Sequence, residues 1–181
     1  PLKEEAQSMA RYDAAIAQVR DRQVDPEVAK TLRDALARVP AGDLAGARAL
    51  AQKSGDPLVV SFVDWTIFRA GHGTASELKA FADTRTAWPD RHMILQRAEE
   101  ALFNSQASPA DVKAFFAKYE PKTGIGLASL ATALLAEKDT DNARAVAQKA
   151  WSSYNFTPAN EAAVLKRIGH LLGDADHKRR L

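Results

Sequence analysis

Cysteine is absent from this chain of 181 residues. Without thiols the chain forms no disulfide framework, and a zinc site built on thiolates is excluded. Aromatic residues make up only 7% of the sequence while alanine dominates its apolar residues, which favours closely packed helices over a sheet-rich fold. No apolar run approaches the roughly 20 residues that a membrane span requires, so we expect no membrane-spanning segment.

A strong excess of one charge is also missing. The net charge is +2, which is too small to predict a nucleic-acid partner. The sharpest charge run is His177 to Arg180, which we interpret as a solvated helix start, with a contact to a polyanion as the alternative. The proportions of 46% hydrophobic and 27% charged residues are typical of soluble globular proteins.

The acidic residues show no catalytic pattern. Hydrolysis of a glycosidic bond needs two carboxylates that converge across a cleft. The closest candidates here are the sequence neighbours Glu4-Glu5 and Glu99-Glu100, which point about 100° apart on a helix. We therefore interpret them as surface residues or inter-helix partners, and we predict no catalytic residue in this chain.

The histidines do not predict a metal site. His170 and His177 are seven residues apart, but Gly173 interrupts the helix between them. A glycine-rich phosphate loop, a G-x-S-x-G elbow and an HExxH helix are all missing as well. The sequence therefore predicts neither a metal ion nor a cofactor.

The feature that is present is a repeat. Asp43, Thr74, Ser108 and Asp139 are good N-cap residues that lie 31, 34 and 31 residues apart. Apolar residues follow each of them four, seven and eight positions later: Ala47, Leu50 and Ala51; Leu78, Phe81 and Ala82; Val112, Phe115 and Phe116; Ala143, Val146 and Ala147. A helical stripe repeated with this period predicts an all-α, right-handed superhelix of helical hairpins, similar to tetratricopeptide repeats, in one domain over residues 1–181.

Proline marks further helix starts between the repeated caps. We expect helices to open at Asp25-Pro26, Asp56-Pro57, Trp88-Pro89 and Thr157-Pro158. Within the repeat, Phe81 and Phe115 take the same position, so we expect them to be equivalent core residues.

Several short sequence words follow one another in a recognisable order. They are Asp56-Pro57, Asp64-Trp65, Phe81, Trp88-Pro89, the run Leu95-Gln96-Arg97-Ala98-Glu99-Glu100-Ala101-Leu102, Ile168-Gly169, Asp176-His177 and Arg180-Leu181. Together they resemble the superhelical region of soluble lytic murein transglycosylases, over roughly residues 30 to 181.

The resemblance implies a scaffold and not an active site. Enzymes of that family cleave the β-1,4 bond between N-acetylmuramic acid and N-acetylglucosamine with one glutamic acid in a C-terminal lysozyme-like domain. The Glu-Ser pair and the Gly-Leu-Met-Gln motif of that catalytic domain do not occur in this sequence, so no catalytic residue of the family can be assigned to it. The expectation is a periplasmic scaffold segment, inactive alone, whose partners are peptidoglycan glycan strands and its own catalytic domain. Because the chain begins at Pro1 without a signal peptide, we expect it to be a piece of a longer protein.

Lysines recur at related helix positions and suggest how such a scaffold could attract its polymer. Lys53, Lys79, Lys113 and Lys149 lie ten, five, five and ten residues after their caps. We predict them as possible contacts to anionic groups of peptidoglycan, with ordinary solvated lysines as the alternative.

Two other functions stay open. A tetratricopeptide-like module that binds a partner protein would show the same period, although the W-x-x-L-G-x-x-Y signature is missing. A self-sufficient enzyme with a site between helices is the third possibility, and only the lack of converging acids opposes it.

Overall fold

The structure is a computed structural model that describes residues 25–180 and, before them, residues 6–7, 9–11, 13–14 and 17, which are helical. All regular elements in these residues are helices and none is a strand, which confirms the all-α prediction. The chain divides into two compact units, residues 1–66 and residues 67–181. The right-handed superhelix and the single domain over residues 1–181 stay predictions.

Ten α-helices and one short 3-10 turn make up the described part from residue 25 onward. They are α1 (Pro26–Arg38), α2 (Leu44–Lys53), α3 (Pro57–Arg69), α4 (Ala75–Thr84), α5 (Arg91–Asn104), α6 (Pro109–Phe116), α7 (Gly124–Ala136), α8 (Thr140–Ser153), α9 (Pro158–Ile168), the 3-10 turn (Gly169–Leu171) and α10 (Asp174–Lys178).

The four repeated cap residues all begin helices, as the repeat predicts. Each side chain accepts a hydrogen bond from the backbone N–H three residues later: Asp43 from Gly46 at 2.9 Å, Thr74 from Glu77 at 3.2 Å, Ser108 from Asp111 at 3.2 Å and Asp139 from Asn142 at 3.4 Å. The residues four positions after the caps are all buried: Ala47, Leu78, Val112 and Ala143. The repeat therefore describes real local structure, with one capped helix and one buried contact per copy.

In the first unit, α1 and α2 pack on each other. Ala35 on α1 and Ala47 and Ala51 on α2 are fully buried, and such small side chains allow two helix backbones to approach closely. Arg38 closes the turn between the helices with an ion pair to Asp43 at 2.5 Å. That ion pair and the cap bond from Gly46 hold the pKa of Asp43 below its usual value, the cap bond contributing most.

In the second unit, α7 is the central helix. It packs against α5, α6, α8 and α9, and its residues 124–129 are all buried. Two glycines permit these close contacts, because a Cβ on Gly124 would collide with the ring of Phe156 and one on Gly126 with the carboxylate of Glu99. The core around α7 contains Phe103, Ile125, Leu127, Ala128, Ala131, Ala143, Ala147, Ala150, Trp151, Val164, Ile168 and Leu171.

The helix expected to open at Trp88-Pro89 begins later. Residues 85–90 form turns, and α5 starts at Arg91 after Asp90, which takes a left-handed conformation with φ of 56°. Asp90 pairs with Arg69 at 3.1 Å, and Arg91 Nε donates to the carbonyl oxygen of Ala82 at 2.8 Å. These tertiary contacts use the residues that a continuous helix would have placed in its first turn.

Phe81 and Phe115 are only partly equivalent. Phe115 is buried, whereas Phe81 keeps part of its surface exposed. Phe81 lies edge-on to Phe68 and Trp88, with ring centroids 5.4 and 5.6 Å away. The turn that delays α5 therefore brings Trp88 onto Phe81 without covering it completely.

Candidate functional site

Three neighbouring clefts surround the end of α5 in the second unit. The α4–α6 cleft, of about 440 Å³, lies between the start of α4 and the length of α6. The Arg97 cleft, of about 310 Å³, shares Thr74, Ala75 and Ser105 with it. The Arg167 cleft, of about 280 Å³, shares Leu102 and Ala107 with it on the other side. The end of α5 and the turn after it thus form a common edge of all three clefts.

The α4–α6 cleft is the largest of the three and its walls are mostly apolar. Leu102, Ala114 and Phe115 supply the apolar wall, and Lys79 and Asp111 stand at its polar side. Lys79 is held by Asp83 at 2.9 Å. The cleft can therefore accommodate an apolar group, because the charge of Lys79 is already balanced by Asp83.

Asp83 is the centre of a charged cluster beside α4. Its carboxylate accepts hydrogen bonds from Lys118 Nζ at 2.6 Å, from the hydroxyl of Tyr119 and from Lys79 Nζ at 2.9 Å. Lys118 and Tyr119 are the main reasons that the pKa of Asp83 lies far below its ordinary value. Arg91 lies over the ring of Tyr119, 5.8 Å from its centroid. This cluster joins the residues after α6 to α4 and leaves Asp83 unsuited to accept a proton near neutral pH.

The Arg97 cleft contains an internal ion pair. Arg97 Nη1 lies 2.7 Å from the carboxylate of Glu100, while Arg97 Nε is buried without a hydrogen-bond partner. Because the carboxylate of Glu100 is already paired with Arg97, its negative charge in this cleft is largely neutralised.

The Arg167 cleft contains two polar groups with unused hydrogen-bonding capacity. Arg167 Nη1 donates to the carbonyl oxygen of Phe103 at 2.5 Å, and the guanidinium lies 3.7 Å from the centroid of the Phe103 ring. Burial lowers the pKa of Arg167. Ser129 is only 5% exposed, and its hydroxyl has no hydrogen-bond partner.

The buried carboxylate of the second unit is Glu99, with 1% of its surface exposed. It accepts hydrogen bonds from the backbone N–H groups of Lys122 and Thr123, each at 2.8 Å, and from Thr123 Oγ1 at 2.5 Å. Burial raises the pKa of Glu99, although these three hydrogen bonds act in the opposite direction. Glu99 thus attaches α5 to the start of α7 and agrees with the inter-helix interpretation, whereas Glu4 and Glu5 lie outside the described residues.

The sequence contained a signal for the burial of Glu99. It lies three residues before Leu102 and four before Phe103, both buried, so it shares their face of α5. An acid on the apolar face of a helix predicts a buried, hydrogen-bonded carboxylate.

The four lysines of the peptidoglycan prediction have different surroundings. Lys79 pairs with Asp83, and Lys113 pairs with Glu137 at 2.6 Å. Lys53 and Lys149 are exposed, and Lys53 belongs to the first unit whereas the other three belong to the second. Contact with peptidoglycan stays a prediction for all four.

Among residues 25–180 the four histidines are all exposed, and no group of three or more His, Asp or Glu side chains is arranged to hold a metal ion. His177 lies edge-on to the buried Trp151, 5.4 Å between ring centroids. None of the helices in the described part of the chain is long and apolar enough to cross a membrane.

Comparison of the chain with protein families, with curated proteins and with solved structures found no match. The resemblance to lytic transglycosylases therefore depends on the sequence words alone.

Proposed function

We propose that this chain is a non-catalytic helical scaffold segment of a larger periplasmic lytic transglycosylase. In this proposal the helices hold a separate catalytic domain and guide glycan strands of peptidoglycan toward it. The parent enzyme would cleave the bond between N-acetylmuramic acid and N-acetylglucosamine and leave a 1,6-anhydro product.

The observation that carries the proposal is where the resembling sequence words fall. Two of their acidic residues, Asp64 and Glu99, join one helix to another, as a scaffold requires, whereas Arg97 and Glu100 pair within α5. Asp64 accepts from Arg48 Nε at 2.8 Å within the first unit, and Glu99 attaches α5 to α7 in the second. Contacts of this kind hold neighbouring helices together, and this supports a structural role for the words.

The last of these words, Asp176-His177 with Arg180-Leu181, also contains polar residues that contact other helices. Asp176 is buried and accepts from the backbone N–H of Gly173 at 2.9 Å and from Gln148 Nε2 at 3.1 Å. Arg180 lies 3.8 Å from the centroid of the Trp151 ring and pairs with Glu161 at 2.7 Å. This segment therefore attaches to both α8 and α9, whereas Leu181, the end of the word, lies outside the described residues.

Incubation with purified murein sacculi tests the proposal in two steps. The chain alone should release no anhydro-muropeptides, while the full-length product of its gene should release them, as measured by chromatography. Release by the chain above that of a heat-inactivated control would contradict a non-catalytic role. A full-length product that releases none would contradict the transglycosylase assignment.

Co-sedimentation with the same sacculi tests the lysines. Binding should occur at low salt and disappear at about 0.5 M salt, because exposed charges are screened over a few ångströms at that concentration. Lys53→Gln with Lys149→Gln should weaken it. The charge-matched control replaces Lys30 and Lys166, which are also exposed and belong one to each unit. Equal loss in both double variants would mean that only net charge matters.

A protein-interaction module of the tetratricopeptide kind is the second candidate. The α4–α6 cleft favours it, because about 440 Å³ with apolar walls is enough for a side chain of a partner. A full-length product without a lysozyme-like domain and its Glu-Ser pair would favour this function over the first.

A further inference from the structure

Arg167 has hydrogen-bonding capacity that the protein does not use. Its Nη1 donates to the carbonyl oxygen of Phe103, but no carboxylate of the described residues pairs with it, and Nε and Nη2 have no hydrogen-bond partner there. These two nitrogens form one edge of the guanidinium. Such an edge matches the two oxygens of a carboxylate.

Ser129 is a second, independent observation in the same cleft. Its hydroxyl is buried and unpaired although it lines the cleft, and buried hydroxyl groups in proteins nearly always have a partner. An acceptor atom of a ligand would supply that partner.

The other walls are mostly apolar, with Gln106 and Thr132 as the polar exceptions, and they limit the ligand to a small body that is mainly apolar. Leu102, Val112 and Ala133 are buried side chains that line the cleft, and its volume is about 280 Å³. Apolar walls of this kind do not compensate the desolvation of a doubly charged phosphate, whereas a monoanion on a short aliphatic body meets one cation and apolar surface.

We propose that the Arg167 cleft binds the carboxylate of a small ligand with an aliphatic body. Arg167 Nε and Nη2 hold the carboxylate, and the Ser129 hydroxyl donates a further hydrogen bond to the bound ligand. This inference does not depend on the proposed function. Burial lowers the pKa of Arg167, which agrees with a cation that lacks a counter-ion in its surroundings.

Titration of the chain followed by ¹H–¹⁵N NMR tests the cleft. The probes are isobutyrate, N-acetyl-Ala-Ala with a free carboxylate, the C-terminal amide of that dipeptide, and inorganic phosphate. The two carboxylates should shift the Arg167 Nε–H and Ser129 backbone signals in a saturable way, and the amide and phosphate should not. Saturable binding of the dipeptide alone would identify a peptide C-terminus as the ligand class. Saturable binding of both the dipeptide and isobutyrate would show that the cleft also accepts a free organic acid.

Variants decide whether the two polar groups are responsible. Arg167→Lys keeps the charge but removes the fork, and it should weaken binding about tenfold, as the loss of a hydrogen bond to a charged group does. Ser129→Ala breaks no hydrogen bond of the protein, so it should leave the melting temperature unchanged or higher while weakening binding. Lys166→Gln removes an exposed cation of the same helix α9 and should leave binding within twofold.

Three results would overturn the proposal. They are no saturable shift with either carboxylate, equal binding of the amide or of phosphate, and binding that Arg167→Lys leaves unchanged. Because Ser129→Ala is expected to fold at least as well as the natural chain, a failure of Arg167→Lys to fold would still leave the cleft testable.

Discussion

Glu99→Ala should destabilise the second unit strongly, because Glu99 is the acceptor for three donors at the start of α7. The backbone N–H groups of Lys122 and Thr123 lie 2.8 Å from its carboxylate oxygens, and Thr123 Oγ1 lies 2.5 Å away. Thr123 Oγ1 also accepts from the N–H of Gly126 at 2.9 Å, so the helix cap and the buried acid are linked.

The expected cost follows from these contacts. Each buried donor left without an acceptor costs about 1–3 kcal/mol. Two backbone donors would therefore cost about 2–6 kcal/mol together. Removing a carboxylate whose burial raises its pKa gives part of this back, since the charge no longer has to be desolvated. We expect a net loss of about 2–4 kcal/mol for Glu99→Ala.

Urea denaturation followed by far-UV circular dichroism measures this loss. Glu100→Ala is the matched control, because Glu100 is the next residue of α5 and makes only a partly exposed ion pair with Arg97. It should cost less than about 1 kcal/mol. Glu99→Gln keeps one acceptor oxygen but turns an amide N–H₂ toward a donor, so its cost should lie between those of the two alanine variants.

Equal losses for Glu99→Ala and Glu100→Ala would refute this reasoning, because the burial of Glu99 would then have no energetic consequence. An unchanged denaturant midpoint in Glu99→Ala would do so as well.

Three further predictions concern caps, core and pH. Thr74→Ala should cost about 1 kcal/mol of stability, because it breaks a reciprocal capping box with Glu77. The control Ser76→Ala changes an exposed residue and should cost little. Equal losses for the two variants in thermal unfolding would mean that the helix does not begin at Thr74. Phe115→Ala should cost about 3–5 kcal/mol and the partly exposed Phe81→Ala clearly less, so equal losses in urea would contradict the burial difference. The pKa of Asp83 is far below its ordinary 3.8, so the folded state binds this proton less readily than the unfolded state. The stability that Asp83 supplies is therefore complete above the ordinary pKa of 3.8 and is lost as the pH falls below 3.8 toward the lowered pKa of the folded state. Asp83→Asn should lower stability at pH 7 and flatten the loss between about pH 4 and pH 2; parallel acid denaturation curves for both proteins would contradict this.

Helix identity and helix starts could be read from the sequence because both depend on near neighbours. A side-chain oxygen at a cap meets the N–H groups two and three residues ahead, wherever the helix later packs. This is why Asp43, Thr74, Ser108 and Asp139 could be identified from their residue type and the apolar spacing after them. Asp25 and Thr157 could be identified from the proline that follows each.

The predicted start of α5 was wrong because the true start depends on contacts with residues that are distant in sequence. Trp88-Pro89 carries a strong local signal for a helix start, yet Asp90 and Arg91 make contacts with Arg69 and with the end of α4, which are distant in sequence. Local preference is worth less than such contacts, and tertiary structure overrides it.

The sequence by itself determined the helical class, the repeat of capped helices and the apolar face of each copy, because these depend on interactions over three or four residues. Tertiary structure alone decided which partners the buried polar groups meet and which of these groups stay without one. Glu99 found three donors at the start of α7, while Ser129 and two nitrogens of Arg167 found no partner. Partners of this kind come from helices more than twenty residues away, and no spacing within one helix specifies how two helices meet.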